Sequence, residues 1–261
     1  MSYSKLEISF EQYSEKYPHI RMRRRDGILE LRVHTDGASL KWGANVHEEL
    51  VYCFSDVGFD RQNKVIIITG TGDSFCDQTD VSSFGDFGPQ SWGPMSRESN
   101  KLLTSLLDIE VPIVGAVNGP AHIHAELAVL SDLVIATEGT TFQDGVHFTV
   151  GVVPGDGVHI VWPALLGPNR GRYFLLTGQK LGAQQALQLG VVSEVVAPDK
   201  LLSRAWELAE QVAAQPALAR RYARVLLTQE YKRLMRDQLG YGLALEGAAL
   251  ADFVPKGVIE T

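Results

Sequence analysis

Residues 111–137 read VPIVGAVNGPAHIHAELAVLSDLVIAT. The runs at 111–117 and 132–137 are short, apolar and rich in β-branched side chains, the pattern of strands covered on both faces in a parallel sheet. Parallel strands cannot be joined by a tight turn, so the chain between them must cross the sheet.

The same pattern extends outward in both directions. KVIIITG at 64–70 is a third buried strand. RDGILELRVHT at 25–35 places an Asp26-Gly27 turn before Leu29, Leu31 and Val33, which alternate as in a half-buried strand. Val46, Leu50, Val51, Phe54 and Val57 recur at helical spacing, and Leu102, Leu103, Leu106 and Leu107 mark a helix over about 96–108. Between them, TGDSFCDQTDVSSFGDFGPQSWGPM at 71–95 reads as a long loop whose Phe84, Phe87 and Trp92 suit a pocket wall or lid. Beyond about residue 160 helices dominate: 182–190, 199–215, and one long run from Pro216, a residue suited to a helix's first turn. Alternating strands and helices followed by helices predict an α/β body with a helical C-terminal region.

The chain has 261 residues, 31 acidic against 24 basic, and a net charge of -7. That balance argues against a nucleic-acid or anionic-membrane partner. The basic run at 21–25 reads as a solvated strand edge. Cys53 and Cys76 form no metal or redox motif, and neither a signal peptide nor a membrane-length apolar segment is evident. A cytoplasmic location is therefore expected.

FQDGVHFTVGVVPGDG at 142–157 holds His147 and Asp156 among glycines that permit tight turns. If the chain turns back, the carboxylate could orient the imidazole as a general base for water. Equally, Asp156 could form an Asx turn and His147 pack at a strand end. His122 and His124, two residues apart, are either structural or pocket-lining; lacking a HExxH motif or a cysteine partner, they do not predict a metal site. Glu246, amid apolar helical residues, needs a partner or a task if it faces inward. Trp42 could offer its indole N–H to a carbonyl, and His47 lies close by in sequence. No dinucleotide fingerprint, P-loop or GxSxG elbow is present.

Taken in order, KVIIITGTGDSFCDQTDV, the 111–142 stretch, GVVPGDG, LLTGQKLGAQQALQLGVVSEVV and LLSRAWELAEQVAAQPALA resemble the crotonase (enoyl-CoA hydratase/isomerase) superfamily over roughly residues 20–250. The resemblance implies a crotonase fold: a spiral of ββα repeats over 1–195 and a C-terminal helical trimerisation region over 196–261, assembled as a homo-trimer or dimer of trimers. It also implies two backbone N–H groups for a thioester oxyanion, here at Thr79 and His124. The sequence departs from that pattern: Gln78 stands where a glycine precedes the first, and Ile123-His124-Ala125 replaces a glycine run. Bulkier residues obstruct close backbone approach to a thioester.

TFQDGVHF, VVPGDG, GPNRGRYFLLTGQ and RAWELA bring the chain nearer to the β-diketone hydrolases of this superfamily, which cleave a carbon–carbon bond with water and no cofactor. That resemblance implies His147 as water-activating base, Asp156 as its partner, and catalytic roles for His124 and Glu246. Trp42, His47, Thr79, Phe84 and His122 are the expected substrate-binding residues. The substrate expected is a cyclic 1,3-diketone, cleaved by retro-Claisen hydrolysis to a keto acid, without cofactor or metal. The alternatives are a CoA-dependent hydratase or isomerase, and a non-catalytic scaffold on the same fold.

Overall fold

The computed structural model describes residues 8–85 and 89–253; Phe87 and the last residues of the C-terminal region lie outside that range. A short helix α1 (Phe10–Tyr13) precedes a hairpin of β1 (Ile20–Arg25) and β2 (Ile28–Val33). Its two-residue turn has Asp26 at φ 54 and Gly27 at φ 84, the positive dihedrals that match the twist of a tight hairpin. Then come β3 (Lys41–Trp42), α2 (Ala44–Phe59), β4 (Val65–Thr69), β5 (Gln78–Thr79), α3 (Pro89–Asp108), β6 (Ile113–Val117), α4 (Glu126–Val129), β7 (Leu133–Thr137) and β8 (Thr141–Phe142). The remainder is α5 (Val158–Leu166), α6 (Pro168–Thr177), β9 (Leu181–Gly182), α7 (Ala183–Gln188), β10 (Glu194–Val196), α8 (Leu201–Ala213), α9 (Ala217–Leu227) and α10 (Gln229–Phe253).

The main sheet runs β1-β2-β4-β6-β7-β10, parallel except for the β1–β2 hairpin at its edge. After each of β2, β4, β6 and β7 the chain adds a short second segment. These pair as β3 with β5, Cys76 with Ala121, Ala121 with Phe142, and β8 with β9. One long and one short strand per turn make the spiral of ββα repeats.

Two cores lie on the two faces of this sheet. Leu29, Leu31, Ile66, Ile68 and Ile113 pack toward α2, α3 and the short strands, while Ile28, Val65, Ile67, Val114 and Ile135 are covered by Leu201, Ala205, Trp206 and Ala209 of α8. β2 is thus buried on both faces, not half-buried as its alternation suggests. Its Glu30 faces the α8 side, where it accepts from Trp206 Nε1 at 2.8 Å and Arg32 at 2.8 Å, so a polar residue mimics an exposed one.

Other boundaries also differ from the sequence reading. α3 begins at Pro89, so Trp92 belongs to a helix and not to a loop. The long C-terminal run is two helices that part at Thr228, and Pro216 caps the first from outside its first turn. Arg224 lies one turn before this break. Wholly buried, it donates to Ile109 O at 2.6 Å and Leu106 O at 3.1 Å and pairs with Asp132. The carbonyls ending α3 and the charge of Asp132 compensate a cation that burial alone would make costly.

Candidate active site

Loops at the ends of the short strands, together with α10, bring four of the predicted residues together. His147 sits in the loop after β8, which is pinned by Gly145 N–H donating to His122 O at 2.9 Å and by Val150 and Val152 N–H donating to His147 O at 2.9 and 3.1 Å. Asp156 sits in the turn before α5, Glu246 on α10, and His124 in the turn before α4. His147 Nε2 lies 3.4 Å from Asp156 Oδ2 and 3.8 Å from Glu246 Oε1, and His124 Nε2 lies 3.7 Å from Asp156 Oδ2.

Two glycines allow α10 to come this close. A Cβ on Gly155 would stand 2.2 Å from Gly242 O and 2.8 Å from Glu246 Cβ, and one on Gly242 would stand 2.3 Å from Gly155 O. Only bare backbone on both sides lets the helix touch the Asp156 turn, and one helical turn later Glu246 faces Asp156. Trp92 packs on Gly247, the next residue, where a Cβ would meet its Nε1 at 2.1 Å. α3 is thereby docked beside the carboxylate.

His124 holds φ 46, the left-handed backbone that glycine adopts readily, although it carries a side chain. At this position a turn that glycine would adopt readily carries an imidazole. That ring stacks on Trp42, with centroids 3.9 Å apart and 37° between planes. Trp42 is placed by β3, where it pairs in register with Thr79.

The sequence reading missed Asp144. Its Oδ1 lies 2.7 Å from His147 Nδ1, both residues being buried, whereas Asp156 faces the other ring nitrogen. Asp144 and Asp156 therefore address opposite nitrogens of one ring, the former at the shorter distance. An aspartate three residues before a histidine across the Gly145 turn was the available signal.

The electrostatics follow from burial and these contacts. Burial opposes charge on His147, but Asp156 and Asp144 more than offset it and hold the imidazolium well above the usual imidazole range. Burial likewise opposes ionisation of Asp156, yet His147 beside it keeps the carboxyl well below its ordinary value. Glu246, buried and next to the Asp156 charge, is pushed up to about 8 and is a neutral acid at pH 7. Burial pulls His124 down to about 4, so its ring is neutral and offers one N–H.

The remaining predicted residues take other hydrogen-bond partners, although the His47 ring centroid lies only 6.4 Å from that of His124. His47 packs edge-on against Trp42, but its Nε2 lies 3.2 Å from Ser99 Oγ and its Nδ1 3.5 Å from Glu98, both on α3. His122 Nε2 lies 2.8 Å from Thr141 Oγ1. Thr79 lines a separate cavity of about 280 Å³ with Lys41, Asn45, Asp80 and Ser83, which none of His124, His147, Asp156 and Glu246 borders. Phe84, in a 3-10 turn, is partly buried against the main core. Glu126, also buried and raised to about 8, takes the Trp162 indole N–H at 2.7 Å.

His147, Asp156 and Glu246 each present one ligand atom, all within 4.8 Å of one another. Either a metal ion or a single water would fit that spacing. A water there would touch a base, a carboxylate and a neutral acid at once.

The model of the family described as enoyl-CoA hydratase/isomerase matches residues 26–256. The chain belongs to this family. Among solved structures, this family member is 49% identical to a β-diketone hydrolase from the cyanobacterium Anabaena sp. PCC 7120, bound there to (S)-3-oxocyclohexyl acetic acid. That match covers 93% of this chain and 98% of the other, with a TM-score of 0.91. It is 30% identical to the carnitinyl-CoA dehydratase of Salmonella arizonae over 84% of this chain and 81% of that one. An enoyl-CoA hydratase/isomerase from Mycobacterium paratuberculosis, 23% identical, shares the fold with a TM-score of 0.83 over 89% of this chain and 94% of the other. The chain is thus a crotonase-superfamily enzyme.

Proposed function

We propose that this enzyme is a cofactor-independent β-diketone hydrolase that cleaves a cyclic 1,3-diketone to a keto acid. The observation that carries this reading is the convergence of His147 Nε2, Asp156 and Glu246 on one point. Beside it, the stacked His124 and Trp42 rings supply side-chain N–H donors at the family's oxyanion turn.

In this reaction a water held at that point gives its proton to neutral His147 Nε2 as its oxygen bonds to one carbonyl carbon. The tetrahedral oxyanion then collapses to a carboxylic acid. The carbon–carbon bond breaks, and its electron pair passes into the second carbonyl as an enolate. Nε2–H returns the proton to the α-carbon, so one water is consumed and the enzyme is restored. Donors at the enolate oxygen matter most, because charge develops there only as the bond breaks. His124 and Trp42 serve that oxygen, and the neutral Glu246 donates to the water.

The ligand in the Anabaena structure is a keto acid of the expected kind. Rejoining its carboxyl carbon to the ring-ketone α-carbon remote from the branch, with loss of water, gives a bridged bicyclic 1,3-diketone. We take that class as the substrate.

The test is turnover of such a diketone in ¹⁸O-labelled water, with the keto acid formed and one ¹⁸O in its carboxyl group. Absence of turnover overturns the reading. The similarity to a carnitinyl-CoA dehydratase keeps CoA-thioester hydration as the second reading, and crotonyl-CoA is its control substrate.

Assembly as a homo-trimer or dimer of trimers is part of the proposal. Leu218, Tyr222, Leu226, Leu227 and Tyr241 of α9 and α10 are exposed, an apolar surface that suits burial against other copies. Light scattering showing only a monomer would exclude it. A cytoplasmic location is retained as a proposal; among the described residues no helix is long and apolar enough to cross a membrane.

A further inference from the structure

Two carboxylates address His147 from opposite ring nitrogens, and their roles are not interchangeable. A general base acting through Nε2 needs its lone pair there, so the ring proton must reside on Nδ1. Nδ1 faces Asp144 Oδ1 at 2.7 Å. Asp156 faces Nε2 at 3.4 Å, where it can accept a proton from the ring only after the base has collected one. A carboxylate in that position cannot fix the tautomer the base requires. Asp144 can, and it is built to do so. It is buried, its other oxygen has no partner, and the loop carrying it is tied by Gly145 N–H to His122 O.

We propose that Asp144 is the positioning residue of this site, holding His147 in the Nδ1–H form and aiming Nε2 at the water. Asp156 is left to receive the imidazolium once it forms. The proposal deepens the hydrolase reading and rests on it for its kinetic consequence, but not for the tautomer itself. The charged and titratable groups around the pair are Asp156 from the turn before α5, His124 from the turn before α4, Glu246 from α10, Glu126 from α4 and His159 from α5.

The experiment is ¹⁵N–¹H correlation spectroscopy of histidine-labelled full-length protein, at a pH where His147 is neutral. Wild type and Asp156→Asn are expected to show the Nδ1–H tautomer. Asp144→Asn, whose amide can donate to Nδ1, is expected to show Nε2–H, and Asp144→Ala a mixture. The wild-type tautomer persisting in folded Asp144→Asn and Asp144→Ala, or being lost in Asp156→Asn, overturns the proposal.

In the kinetic arm, Asp144→Asn lowers kcat on the order of a hundredfold or more with KM little changed, because the base is misdirected and not removed from the pocket. An unchanged kcat also overturns it. If the tautomers behave as expected but no diketone is turned over, the hydrolase reading fails and the positioning role stands. If diketones are turned over and the tautomer ignores Asp144, the reverse holds.

Discussion

His147 Nε2 and Asp156 Oδ2 stand 3.4 Å apart, both residues buried, so the charge state of one governs the other. The carboxylates stabilise the imidazolium, and the catalytic step needs the neutral ring. Activity should therefore rise with pH along a limb centred above the ordinary imidazole value of 6.5. Asp156→Asn removes one stabilising charge, so the limb moves to lower pH while the plateau falls about a hundredfold. A pH–kcat/KM profile of both proteins checks the sign; a limb that stays in place contradicts it.

Glu246 is expected to act as a neutral acid. With its carboxyl raised to about 8, it loses its proton at alkaline pH and activity should decline there. Glu246→Gln keeps a neutral donor at all pH values. It should retain much of the activity near pH 7 and abolish the alkaline decline, whereas Glu246→Ala should lose both. The same pH series on the two variants separates these outcomes.

The approach of α10 rests on Gly242. A Cβ there meets Gly155 O at 2.3 Å and His159 Cε1 at 2.3 Å. Gly242→Ala should push the helix outward, costing about 1–3 kcal/mol of stability as an overpacked contact. Because Glu246 moves with the helix, kcat should fall as well. Thermal unfolding and turnover measured together test this; a drop in Tm with kcat unchanged would show that the helix carries no group the reaction needs.

Removal of metal should change nothing. The spacing of His147, Asp156 and Glu246 also suits a divalent cation, and Asp144 behind His147 resembles the carboxylate that often supports a metal-bound imidazole. On the proposed mechanism a water occupies that point. Dialysis against a strong chelator should leave diketone turnover intact, and added zinc or manganese should not raise it. Loss on chelation with recovery on one metal would replace the water mechanism with a Lewis-acid one.

Much of the fold was legible in the sequence because 64–70, 111–117 and 132–137 are short, mostly apolar, β-branched runs of strand length, and because the ordered stretches resemble the crotonase superfamily. Where the reading failed, a polar residue was satisfied inside the fold. Glu30 made β2 look half-exposed, although Trp206, far along the chain, receives it. At the site, His124, His147, Asp156 and Glu246 are ambiguous by spacing alone and take roles only through the resemblance, and the structure places them side by side. Asp144 escaped because aspartates before glycine usually make turns, and only the fold shows which ring nitrogen it reaches. His122 and His47 bond Thr141, Ser99 and Glu98, partners that no sequence spacing announces, while His47 also lies against the Trp42–His124 stack.

The central claim is that His147 activates water against a diketone. The decisive measurement is the steady-state rate of keto-acid formation from a bridged bicyclic 1,3-diketone, compared between wild type and His147→Ala, with crotonyl-CoA as the competing substrate. The account predicts turnover by wild type, a loss on the order of a hundredfold or more in the variant, and no hydration of crotonyl-CoA. Equal rates in the two proteins, or hydration of the thioester with indifference to the diketone, would contradict it.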